Sequence, residues 1–101
     1  MSNKLQYFVI ITKPKIKDKC IKTLTENGGK CVTSIYANGS VKSNILSQTF
    51  GLDSDTKRLL IYSLITTENA QRLIDVFTNE FNFNKPNTGI AFTIPIEGLM
   101  F

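Results

Sequence analysis

Asn87-Thr-Gly-Ile-Ala-Phe-Thr-Ile-Pro-Ile-Glu-Gly-Leu-Met-Phe101 reads as a glycine turn followed by a strand. Side chains alternate across a strand, so Ile90, Phe92, Ile94 and Ile96 share one face and Ala91, Thr93 and Pro95 the other. A strand this apolar must pair with strands laid down much earlier in the chain. The Leu99-Met-Phe101 tail also needs cover, and a chain of 101 residues has little spare surface to provide it.

Working back from that strand, three more segments carry the same period of two. Leu5 to Thr12 places Leu5, Tyr7, Val9 and Ile11 on one side and Phe8 and Ile10 on the other. Lys30 to Tyr36 is rich in β-branched residues. Lys57 to Ile65 sets Leu59, Ile61, Ser63 and Ile65 against Leu60, Tyr62 and Leu64. Strands that are apolar on both sides are expected to be covered on both sides.

Helices are predicted between these strands. Lys13-Pro14 ends the first strand, and proline suits the first helical turn, where its missing N–H is no loss. The first helix is expected to run to about Asn27, with Ile16, Cys20, Ile21 and Leu24 as its buried stripe and Gly28-Gly29 as its stop. Thr67 is the expected N-cap of a second helix that carries Ala70, Leu73, Ile74, Phe77 and Phe81 on one face. Between the halves, Ala37 to Thr56 loses periodicity and is predicted to be a long loop, a kind of segment that is usually functional or disordered.

The resulting order is βαβ, loop, βαβ, an internal structural repeat within a single domain spanning residues 1–101. It predicts an α+β fold, the ferredoxin-like βαββαβ sandwich, with a four-stranded antiparallel sheet and two helices on one face. In that arrangement one apolar face of the sheet stays uncovered, which predicts an oligomer.

Composition narrows the function. Apolar residues make up 42% and charged residues 20%, the balance of an ordinary globular protein. No run of 18 apolar residues exists and no signal peptide is read at the start, so a cytoplasmic protein that is not membrane-embedded is expected. The net charge is +4, with Lys13, Lys15, Lys17, Lys19 and Lys22 close together and Asp18 alone against them. The run has no arginine and no interleaved aromatic, and reads as a solvated helix face; no nucleic-acid partner is expected. Cys20 and Cys31 lack a metal-site spacing and read as buried thiols. Histidine is absent, which removes the commonest general base and transition-metal ligand and argues against an enzyme.

Three stretches resemble the PII nitrogen-regulatory signalling proteins. Ile10-Ile-Thr-Lys-Pro14 is similar to the family's opening strand and Ile-Lys-Pro turn, Leu24-Thr-Glu-Asn-Gly28 to the end of its first helix, and Gly89-Ile-Ala-Phe-Thr-Ile-Pro-Ile-Glu97 to its last strand. The resemblance spans nearly the whole chain. It implies a homotrimer built on the open sheet faces, a small effector of nucleotide type bound in the clefts between subunits, and a T-loop that contacts a target protein, a transporter or a metabolic enzyme. An adenine nucleotide is the ligand it suggests.

Carried over residue by residue, the resemblance places the T-loop at Ala37 to Thr56 and a ligand site at Gly39, Ser40, Lys57, Arg58, Asn87, Thr88 and Gly89. Gly39 falls at the base of the T-loop, and Ser40 stands where the family has an arginine. Arg58 falls where the family has a lysine near the phosphates, with Lys57 beside it. Asn87-Thr88-Gly89 falls on the phosphate-side B-loop, with Gly89 kept, Asn87 in place of its first glycine and Ile90 in place of its phosphate-binding lysine. The family's C-terminal arginines have no counterpart before Phe101, and no tyrosine lies between Tyr36 and Tyr62 for uridylylation. Because phosphates need cations or convergent N–H donors, these departures leave the site thin for ATP and point to a smaller or less charged ligand, another nucleotide, or no ligand at all. The alternative is a ferredoxin-like trimer of structural or metal-tolerance type without nucleotide binding.

Overall fold

A computed structural model describes residues 4–37, 57–85 and 88–97. Four strands form one antiparallel sheet: β1 (Leu5–Thr12), β2 (Lys30–Ala37), β3 (Arg58–Thr66) and β4 (Gly89–Pro95), in the order β2-β3-β1-β4. Helix α1 (Lys17–Glu26) follows β1 and helix α2 (Thr67–Asn79) follows β3. This is the predicted ferredoxin-like α+β architecture. The strand limits match the periodicity closely; β2 extends through Ala37, and β3 runs from Arg58 to Thr66 rather than Lys57 to Ile65.

The first helix departs from expectation at its start. Pro14–Ile16 is a single 3₁₀ turn with proline at its first position, and the α-helix begins only at Lys17. Its end is a Schellman closure: the Gly29 N–H donates to Leu24 O (2.8 Å) and the Gly28 N–H to Thr25 O (3.2 Å). Gly28 has φ +87°, a conformation that a side chain would disfavour.

The second helix is capped one residue earlier than predicted. The Asn69 N–H donates to Thr66 Oγ1 (3.3 Å), so Thr66 is both the last residue of β3 and the N-cap. The Thr67 N–H and hydroxyl both donate to Lys4 O, tying the entry of β1 to the start of α2. No linker separates the strand from the helix, which is why a cap read from sequence falls one position late.

Register fixes the faces. Ile10 lies between Ile61 and Ala91, and Phe8 between Ser63 and Thr93. On this side the core forms from Phe8 and Ile10 of β1, Leu59, Ile61 and Ile65 of β3, Cys20 and Leu24 of α1, and Ala70, Leu73 and Phe77 of α2. Ile16, Ile21 and Ile74 close its margin. Both helices of the described residues therefore cover one face.

On the opposite face Val9 lies between Tyr62 and Phe92, Ile11 between Leu60 and Ile90, and Tyr7 between Leu64 and Ile94. Tyr7 and Tyr62 meet edge to face at 6.0 Å. No helix among the described residues covers this side. Tyr7, Ile35, Phe92 and Ile94 remain 38%, 47%, 37% and 46% exposed.

The cysteines divide: Cys20 is buried in the core and Cys31 is exposed on β2, both as free thiols. The expectation of two buried thiols is corrected for Cys31. It sits at φ +53°, where the register of β2 against β3 shifts between Lys30 and Thr33 and turns the strand's start away from the core. Burial pushes the Cys20 thiol up to about 12, against a weaker lowering by Lys19.

Candidate functional site

One end of the sheet gathers the residues of interest, and Thr12 marks it. Thr12 pairs with Leu59 on one side and with Gly89 on the other. Arg58 and Thr88 are therefore each one residue beyond the same row, on the two strands that flank β1. Neighbouring strands lie about 4.8 Å apart, so these two backbones are about 10 Å from one another, a span that suits a polar ligand larger than a single phosphate.

Arg58 opens β3 opposite Ala37, the last residue of β2. Ala37 and Arg58, which stand on either side of positions 38–57, are thus paired at the end of the sheet. Arg58 is buried and Lys57 exposed. Gly39, Ser40 and Asn87, like the rest of the segment 38–56, lie outside the described residues.

Thr88 is locked in place at the mouth of β4. Its hydroxyl is within 2.8 Å of both Asn82 O and Lys85 O, and its carbonyl accepts from Thr12 Oγ1 at 2.8 Å. The last bond joins positions separated by 76 residues. Asn82 takes φ +60°, which asparagine tolerates, and so reverses the chain after α2. Gly89 is buried, and a Cβ there would come within 2.5 Å of the Phe83 ring. Its lack of a side chain thus has a packing cause, beside any role in approaching a ligand. Phe83 in turn stacks on Phe77, with ring centroids 5.3 Å apart.

Next to this turn, on the helix-covered side, is a cleft of about 200 Å³ lined by Thr12, Lys13, Lys15, Ile16, Phe81 and Thr88. Sequence reasoning places only Thr88 of these in a site. It assigns Lys13 and Lys15 to a solvated helix face, and Phe81 to the buried stripe of α2. Phe81 instead lies beyond the helix, which ends at Asn79, and joins the Phe77–Phe83 aromatic group. The lysine run has no aromatic within it, yet the fold supplies two from elsewhere: Lys19 Nζ lies 4.8 Å from the centre of the Phe81 ring and Lys17 Nζ 5.1 Å from that of Tyr36. The Lys13-Pro14 corner directly after a strand is the one sequence signal that could have drawn attention to the cleft.

Among the described residues no group of three or more His, Cys, Asp or Glu converges on a metal position, and no helix is long and apolar enough to cross a membrane.

No protein-family model and no curated protein sequence matches the chain. Solved structures do match its fold. CPII from Thiomonas intermedia K12, solved bound to ADP, AMP and acetate, superposes with a TM-score of 0.69 at 22% identity, covering 91% of this chain and 85% of that one. A putative PII-like signaling protein from Thermus thermophilus gives 0.68 at 18% identity, covering 91% and 86%. Arabidopsis thaliana PII bound to citrate gives 0.63 at 14% identity, covering 94% and 79%. The resemblance read from three short stretches of sequence thus extends to the fold: the structural neighbours of this chain are PII-like proteins.

Proposed function

We propose that this chain is a divergent PII-like regulatory protein of the cytoplasm, a single domain without catalytic activity that acts as a homotrimer. The observation that carries the proposal is an apolar sheet face left open in a chain with the fold of PII-like proteins. Burying Tyr7, Ile35, Phe92 and Ile94 against other copies removes surface that a monomer would leave in water. Light scattering coupled to size-exclusion chromatography should give three times the chain mass at micromolar concentration; a monomer mass would sink the assembly.

The effector is a nucleotide-type ligand in the cleft between subunits, contacted by Gly39, Ser40, Lys57, Arg58, Asn87, Thr88 and Gly89. Support comes from the ADP and AMP in the CPII structures and from the placement of Arg58 and Thr88 on either side of the end of β1. With Arg58 and Lys57 as its cations, and Ile90 where a lysine would add a third, the site is matched to ADP or AMP better than to ATP. Binding biases the segment 37–56 between two states, and that segment engages or releases a transporter or metabolic enzyme.

Calorimetry with ATP, ADP, AMP and cyclic dinucleotides tests the effector, and silence with all of them overturns nucleotide sensing. With folding checked by circular dichroism, Arg58→Ala should weaken the bound nucleotide by about 1.5–3 kcal/mol, the scale of a hydrogen bond to a charged group. Unchanged affinity would mean that the phosphates lie elsewhere.

A further inference from the structure

We infer that the lysine face of α1 is a docking surface for an acidic patch on the protein partner of segment 37–56. The inference rests on the regulatory reading for the existence of that partner, and adds the chemistry by which it is held.

Three observations carry it. The first is that the charges of α1 run against the helix's own stability. Peptide dipoles leave the start of a helix partly positive and its end partly negative. Yet Lys17 and Lys19 stand in the first turn, no basic residue stands in the last, and Glu26 ends the helix. Lys15 adds a cation in the 3₁₀ turn just before. Lys22 follows Lys19 by three positions and so is its neighbour on the helix surface. Asp18 is the one acid between Lys13 and Lys22 to relieve their repulsion. Folding alone gives no reason for this arrangement, whereas an incoming acidic surface does.

The second is direction. Cys20 and Leu24 face the core, which leaves Lys19 and Lys22 exposed on the outer side, with Lys15 exposed before them. Lys17 is held over the ring of Tyr36 and Lys19 over that of Phe81, so two ammonium groups are positioned before any partner arrives. The third is place. Tyr36 is the last residue but one of β2, so Lys17 stands beside the strand end that leads into segment 38–56. A protein bound to that segment is brought against this end of α1.

The same features select the class of partner. The exposed residues of α1 are Asp18, Lys19, Lys22, Thr25 and Glu26, and none of them is apolar, so the face has nothing to insert into a bilayer. Single-stranded nucleic acid needs aromatic rings open to stacking, and Tyr36 and Phe81 each already carry an ammonium group. Carboxylates on a folded partner need only placed cations, which steer encounter and fix register.

The test is fluorescence anisotropy of a labelled peptide of alternating glutamate and serine, titrated with the full chain. The peptide should bind, and its glutamine counterpart should not. Binding should weaken as salt rises from about 0.01 M to about 0.1 M, over which the Debye length falls from about 30 Å to about 10 Å. The pair Lys19→Glu and Lys22→Glu should weaken the peptide about tenfold or more. Lys4→Glu with Lys30→Glu, the same charge change where β1 and β2 begin, should leave it bound. With circular dichroism unchanged, the α1 pair should bind ADP as the unaltered chain does. Peptide binding by a chain that ignores every nucleotide would leave docking standing and remove the effector. The inference is overturned if the glutamate peptide does not bind, if the glutamine peptide binds equally, if the two variant pairs behave alike, or if the α1 pair loses ADP as well. It is also overturned if phosphatidylserine vesicles or oligouridylate bind this face more tightly than the peptide, which would assign it to lipid or to RNA.

Discussion

The two faces of the sheet are built from similar residues and have different fates. Phe8, Ile10, Leu59 and Ile61 lie under α1 and α2 and are lost to solvent; Tyr7, Ile35, Phe92 and Ile94, drawn from the strands of the same sheet, keep more than a third of their surface in water. Composition does not distinguish them. What differs is the direction in which each alternating side chain points, once helices occupy one side. Apolar residues beyond what one chain can cover carry information about assembly, in the same way that buried ones carry information about the fold.

The sharpest way to test that contrast is to truncate one aromatic from each face. Phe77→Ala removes a fully buried ring that contacts Phe8, Phe81 and Phe83, and should cost about 3–5 kcal/mol in denaturant unfolding. That loss should be the same at every protein concentration. Phe92→Ala on the open face should cost far less in dilute solution, and its effect should change with concentration, because it acts on association. A Phe92→Ala loss that equals that of Phe77→Ala and ignores concentration would break the distinction between the faces.

A smaller effect is expected at the edge of the covered face. Gly89→Ala forces a methyl group into the Phe83 ring and should destabilise by about 1–3 kcal/mol. If stability is unchanged, the glycine is there for another reason and the ligand reading of Gly89 gains weight.

The smallest effect is chemical rather than energetic. Near pH 8, iodoacetamide should modify Cys31 and spare Cys20, whose thiol is buried and pushed up to about 12. The sign of the linkage follows from this. The folded state holds the Cys20 proton more tightly than the unfolded chain, so the contribution is full below about pH 9 and falls away as pH rises from there toward 12. Peptide mass mapping after native labelling checks the selectivity, and modification of both thiols at equal rates would show that the core opens readily around α1.

Much of the fold is legible in the sequence because it is written in local periods. The limits of β1 and the two-sided character of β1, β3 and β4 follow from alternation alone, and Gly28 announces the end of α1. Thr66 escapes such a reading because one residue serves strand and cap at once. The helix-side cleft is not legible for a different reason. Lys13 and Lys15 come from the corner after β1, Phe81 from beyond α2 and Thr88 from the turn before β4. Only the pairing of the first and last strands brings them together. The proposed nucleotide residues come from resemblance, and the fold sets Arg58 and Thr88 on either side of one strand end without local sequence announcing it.

The hydrogen bond from Thr12 to Thr88 has a temporal meaning as well. It sits on a ladder that joins the first strand to the last, and the bonded residues are 76 positions apart. Contacts between distant positions are the costliest to form early, since the intervening chain must give up its freedom before the contact returns any free energy. The β2–β3 and β1–β3 ladders join positions closer in sequence. The β1–β4 ladder is therefore expected to close last, and until it does neither the turn at Thr88 nor the helix-side cleft exists. Pulsed hydrogen exchange during refolding should protect β3 before β4, and simultaneous protection would show that the sheet condenses in one step.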